Sequence, residues 1–291
     1  MTDLTIVLGM HRSGTSICAQ ALQVLGCSMA EEAGAGPGNP GGHWERFEIA
    51  ACHDRLLALF GADYHGPTHH RLLPPAWWAL PEVRTIKREL QAVVEDVLTL
   101  PRPGLKDPRI ARLMPLWAEL LDDLGVYPRF VVCIRHPAQV ARSMAARDGI
   151  RQELAELQWL QYNVGAVTGI GRQQVFYLDY DTWFPDPLDT AERLARFLGI
   201  PRGRPHTAYL GLRSLIDPTQ RHGVSGTPRL EACERLWPLL SEAARQGNIT
   251  PPLDVAAQWL NAGLSAVPYG VSDLGWHHGG AHVAERHGAS S

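Results

Sequence analysis

The residues best suited to chemistry come early, as Gly9-Met10-His11-Arg12-Ser13-Gly14-Thr15-Ser16. Their spacing is that of a phosphate-binding loop, G-x-x-x-x-G-K-[ST], with Thr15 where the lysine would stand. Such a loop works through its backbone, because N–H groups and a helix N-terminus converge on an anion. Without the lysine the loop is poorly equipped for β- and γ-phosphates, while Arg12 brings a cation into the loop itself. His11, Arg12, Ser13, Gly14, Thr15 and Ser16 are therefore the candidate anion ligands here. A tight strand-to-helix corner also uses glycines, but it has no need of a central arginine.

A second cation, Arg135, ends the apolar run 130–134 in FVVCIRHPAQVARS. A magnesium-using ATP or GTP enzyme is expected to carry an aspartate at that point, so an arginine argues for an anion site that needs no metal. Ser143 lies six residues beyond Pro137, a rise of ~9 Å at ~1.5 Å per helical residue. A long arginine and a hydroxyl at that separation can converge on one phosphate. Singly, each has a plainer reading: an ion pair for Arg135, a solvated helix position for Ser143.

These residues need elements to hold them. Residues 4–8 (LTIVL) form a β-branched apolar run, the mark of a strand buried on both faces. Thr15 or Ser16 is placed to cap a helix carrying Ile17, Ala21, Leu22 and Leu25, stopped by Gly26. The Gly/Pro stretch 34–42 is a loop. Helical spacing then recurs through Ile49, Cys52, Leu56 and Phe60, over 82–98, and after Pro115. Runs 130–134 and 175–178 are further strands, with helices from Pro137 and over 188–198. Strands alternating with helices imply a three-layer α/β/α fold around a parallel sheet, with ligands beyond the strands' carboxyl ends. Extra helices are expected over 229–246 and 252–263. A single domain over 1–269 then precedes a Gly-, His- and Ser-rich tail, 270–291, expected to be disordered.

Composition narrows the partners. With 291 residues, 45% hydrophobic and 20% charged, the chain can bury a sizeable core. A net charge of −3 argues against nucleic acid, whose binding depends on a basic surface. No apolar run approaches the ~20 residues that span a bilayer, so membrane insertion is not expected. Five scattered cysteines without a CxxC pair fit a reducing, cytoplasmic setting. The histidines His65, His69 and His70 lack a ligand pattern, so no metal site is assigned. Oligomeric state is not legible.

Together, GMHRSGTS and IRHPAQVARSM resemble the 5′-phosphosulfate loop and the 3′-phosphate motif of sulfotransferases that use PAPS (3′-phosphoadenosine 5′-phosphosulfate). LKDPR (105–109) and VFYLDYDTW (175–183) are similar to further elements of that family, over about residues 4–184. The resemblance implies a P-loop-related fold, PAPS as donor, PAP as product and no metal requirement. It implies that Arg12, Gly14, Thr15 and Ser16 bind the 5′-phosphosulfate and that Arg135 and Ser143 bind the 3′-phosphate. Arg221-His222-Gly223 is a weak match to the family's arginine-lysine-glycine segment.

Sulfuryl transfer to a small-molecule, glycan or lipid acceptor needs a base and cations for the leaving oxygen. Glu45, in GHWERFE, is the expected base, with partial burial raising its basicity, and His43 is its rival. A first-turn helix glutamate is the plain alternative for Glu45. Lys106 is placed to stabilise the transferring group. Trp44, Trp77 and Trp78 either line an acceptor pocket or belong to the core. A P-loop kinase and a non-catalytic nucleotide-binding module are the competing functions.

Overall fold

The computed structural model describes residues 4–31, 42–64, 68–171, 173–201, 216 and 226–246. Four parallel strands form its centre: β1 (Thr5–Leu8), β2 (Gly104–Lys106), β3 (Arg129–Ile134) and β4 (Val175–Asp179), in the order β2-β1-β3-β4. Alternation along each strand sends side chains to two faces. Ile6, Leu8, Phe130, Val132 and Tyr177 enter one core, while Val7, Val131, Cys133, Phe176 and Leu178 enter a separate one. The sequence pattern therefore produces the expected three layers.

The smaller core is covered by α1 (Thr15–Val24) and α8 (Pro187–Phe197). The larger one is covered by α2 (Phe47–Leu59), α3 (Pro81–Leu98), α4 (Arg109–Arg112), α5 (Met114–Asp123), α6 (Pro137–Asp148), α7 (Gln152–Ile170) and α9 (Glu231–Gln246). Proline at the first or second helical position opens α3, α5, α6 and α8, where its missing N–H costs nothing. Trp77 is buried in the larger core and Trp78 packs against it, while Trp44 packs against the smaller one.

Three elements depart from the sequence reading: α7, β2 and α4, whose single turn, Arg109–Arg112, is too short for a period. α7 goes unpredicted because fourteen of its nineteen residues are buried, which erases the polar face that periodicity needs. β2, only three residues long, overlaps the start of the LKDPR segment. Most of the 34–42 loop, most of 201–228 with Arg221 and His222, the expected helix 252–263 and the tail 270–291 lie outside the described residues. All five cysteines are buried and free. Among the described residues, no helix is long and apolar enough to cross a membrane.

Candidate active site

The sheet assembles the site by register. β1 pairs with both β2 and β3, and β3 with β4, so their carboxyl ends lie side by side. There, β1 delivers the 9–16 loop, β2 delivers Lys106, β3 leads into Arg135 and β4 leads into Tyr180. Arg12, Thr15, Ser16, Lys106, Arg135 and Tyr180 all line one open pocket, joined from the α2 side by His43, Glu45 and Tyr64.

Close backbone approach shapes the loop. Gly9 has φ 136°, and a Cβ there would sit 2.4 Å from the Cys133 carbonyl oxygen. Gly14, at φ 88°, is the N-cap of α1, and its Cβ would meet Tyr180 at 2.7 Å. This corrects the sequence reading, in which Thr15 or Ser16 caps the helix: no side chain caps α1. Its first-turn N–H groups, which have no partner within the helix, are left to face an anion. Arg12 itself takes a left-handed φ of 70°, a conformation that non-glycine residues hold only where the surroundings enforce it.

Two arginines, Arg12 and Arg135, make this end of the pocket cationic. The Arg12 Nε–H donates to Ser143 Oγ at 2.8 Å, which joins the loop to α6. Arg135 is 4% exposed; its Nε–H donates to Gln139 at 2.9 Å and its Nη1 to the Arg12 carbonyl at 3.0 Å. The Arg135 guanidinium lies 4.0 Å over the Tyr180 ring, a cation–π contact. Its other nitrogen, Nη2, is buried with no hydrogen-bond partner among the described residues. Burial pushes both guanidiniums down from their usual pKa; for Arg12, Arg147 and Arg135 add like-charge repulsion. A bound anion would relieve all of these costs.

The opposite wall is built differently. Lys106 donates to Glu45 Oε1 at 2.6 Å and to the His43 carbonyl at 2.8 Å, and the Arg109 Nη2 donates to Glu45 Oε2 at 2.6 Å. Arg109 also reaches Asp54 at 2.8 Å and Asp107 at 2.8 Å, with its face 4.2 Å over Tyr64. Burial opposes ionisation of Asp107, but His53 and Arg109 outweigh it and hold the carboxyl well below the usual range. His43 is half-buried, and burial is the main cause that lowers its pKa. Glu45 pulls the other way, while Lys106, Arg147 and Arg109 add to the downward shift.

Most of the predicted residues meet in this pocket: Arg12, Gly14, Thr15, Ser16, His43, Glu45, Lys106, Arg135 and, through Arg12, Ser143. Ser13 is buried within the loop, and its Oγ has no hydrogen-bond partner among the described residues. His11 lines the pocket, yet its ring packs among Tyr64, His69 and Tyr162 at centroid distances of 5.1–5.7 Å, which places it in an aromatic cluster beneath the loop. None of Trp44, Trp77 and Trp78 lines the pocket. Glu45 departs from expectation, since both its oxygens are taken by cations. Sequence reasoning missed Arg109, Tyr180 and Arg147. The first two lie within LKDPR and VFYLDYDTW, segments with a signal of their own, but their roles depend on contacts distant in sequence.

No protein-family model matches the sequence. No curated protein matches it either. Among solved structures, the chain is similar to the sulfotransferase domain of the Synechococcus PCC 7002 olefin synthase, with a TM-score of 0.46 and 16% identity over 91% of this chain and 96% of that one. It is similar to the sulfotransferase domain of the curacin biosynthetic pathway, with a TM-score of 0.47 and 16% identity over 91% and 98%. Sulfotransferase STF9 from Mycobacterium avium aligns with a TM-score of 0.46 and 14% identity over 86% and 78%. The functional reading of this chain rests on its own site residues.

Proposed function

We propose that this chain is a sulfotransferase, moving a sulfuryl group from PAPS to a hydroxyl or amine of a small-molecule, carbohydrate or lipid acceptor and releasing PAP. The observation that carries this reading is the buried Arg135 Nη2, without a partner among the described residues, in one pocket with the N-terminus of α1, which no side chain caps. Two anion-seeking centres in one pocket suit a nucleotide that is anionic at both its 3′ and 5′ positions. Arg12 and the N–H groups of Gly14, Thr15 and Ser16 take the 5′-phosphosulfate, while Arg135 and Ser143 take the 3′-phosphate. These cations neutralise the nucleotide without a metal. Five free, buried cysteines suit a reducing cytoplasm.

In the transfer, the acceptor oxygen forms a bond to sulfur as the bond from sulfur to the 5′-phosphate oxygen breaks. His43, kept neutral by its surroundings, takes the acceptor's proton. Lys106 has two donors occupied by Glu45 and His43, and the third serves the developing charge on the leaving oxygen. Glu45 thus holds the lysine rather than the proton. Thermal unfolding tests the reading. PAP at ~100 times its dissociation constant should stabilise the fold by ~2.7 kcal/mol, with EDTA present. Stabilisation only by ATP with magnesium would replace this reading with a P-loop kinase.

A further inference from the structure

Behind Glu45, a chain of hydrogen bonds runs into the core. Trp117, on α5, is fully buried and donates its indole N–H to His53 Nε2 at 2.9 Å. An indole nitrogen only donates, so Nε2 is the ring nitrogen without a proton. The ring proton therefore sits on Nδ1, 3.1 Å from Asp107 Oδ2, and His53 donates it there. Asp107 Oδ1 accepts from both the backbone N–H and the Nε–H of Arg109, each at 2.8 Å. With its Nε edge held by Asp107, Arg109 can turn only its Nη groups outward, to Asp54 and Glu45.

Polar groups this deep are not there for cohesion. His53 is 0% and Asp107 1% exposed, and apolar side chains of similar volume would hold such a core at least as well. What a hydrogen-bonded chain adds is direction. We propose that Trp117, His53 and Asp107 are positioning residues: acting through Arg109, they fix Glu45, and Glu45 in turn fixes the Lys106 ammonium that faces the pocket. This deepens the sulfuryl-transfer reading and rests on it for the role of Lys106.

The chain has two lysines, Lys87 and Lys106, which makes the test direct. With lysine labelled with 13C at the ε carbon, two resonances report on the full-length protein. His53→Ala should displace the Lys106 resonance and leave that of Lys87 in place. His53→Asn puts an amide N–H where Nδ1 stands and should restore the wild-type position. In turnover, His53→Ala should lower kcat by about 10²-fold, the scale of a small misplacement, with PAP affinity unchanged and most of the loss recovered by His53→Asn. A purely structural role would lower the melting temperature of both variants and leave the Lys106 resonance and kcat of the folded protein alone. A Lys106 resonance indifferent to His53→Ala, or His53→Asn as impaired as His53→Ala, would overturn the proposal. Should His53→Ala not fold, Trp117→Phe keeps an aromatic ring and removes only the donor. The His53 ring nitrogens must then lose their fixed Nδ1–H form in 15N spectra, and the Lys106 resonance must move. If the wild type binds no PAP, the sulfuryl reading fails separately, and the resonances still decide the positioning chain.

Discussion

The two walls of the pocket hold the same kind of charge in opposite ways. Arg135 is buried with a nitrogen left over, whereas Arg109 has Nε, both Nη groups and its face all engaged by protein. A buried guanidinium with spare valence is costly until an anion arrives, so it marks a binding site. One whose three nitrogens all bond within the protein has less to offer a ligand, so it marks scaffolding. Charge alone does not separate the two; the count of partners does.

Removing the saturated cation should produce the largest effect. Arg109→Met leaves Asp107, Asp54 and Glu45 without their shared partner, and breaking a buried pair from one side costs about 3–5 kcal/mol. Urea unfolding should show that loss. A stability within error of wild type would mean the clamp holds nothing. The second test concerns the two candidate bases at the boundary between the walls. His43→Ala should lower turnover by about 10²–10⁴, the usual span for general-base loss, and Glu45→Gln should do less. The pH profile carries the sign. The folded pKa of His43 lies below the ordinary histidine value, so its base form persists through neutrality. The acidic fall in kcat/KM should then come at a lower pH than an ordinary histidine would give, and should vanish in His43→Ala. Glu45→Gln inactive beside an active His43→Ala would reverse the two roles. The smallest effect belongs to the open wall. Arg135→Met should weaken PAP by roughly tenfold or more, since hydrogen bonds to charged groups contribute ~1.5–3 kcal/mol. It should weaken adenosine 5′-phosphosulfate, which lacks the 3′-phosphate, much less than PAP, and should cost the fold much less than Arg109→Met. Equal weakening of both ligands would place Arg135 with the scaffold.

The open wall was also the legible one. Gly9, Arg12 and Gly14 are spaced within one short segment, and Arg135 and Ser143 within another, so local pattern suffices to find them. The saturated wall joins residues up to 64 positions apart, as in Trp117 to His53 or Arg109 to Glu45, and no local pattern carries such contacts. The fold follows the same rule. Strands β1, β3 and β4 announce themselves as apolar runs, and α3 by its one apolar face. α7, buried on nearly every side with polar residues among those it buries, has no period to detect, and the three-residue β2 is too short to stand out beside LKDPR. The cap of α1 escaped for another reason: Gly14 has no side chain to signal its role, and it leaves the helix end open for a ligand.

One bond in the open wall reaches further than binding. The Arg135 Nη1 that donates to the Arg12 carbonyl braces the left-handed turn of the loop from across the pocket. The cation proposed for one end of the nucleotide is therefore also a strut for the loop that grips the other. The two ends of the donor are thermodynamically joined, so whatever pulls Arg135 toward a 3′-phosphate acts on the backbone that cradles the sulfuryl group. A donor trimmed at one end loses fit at the other.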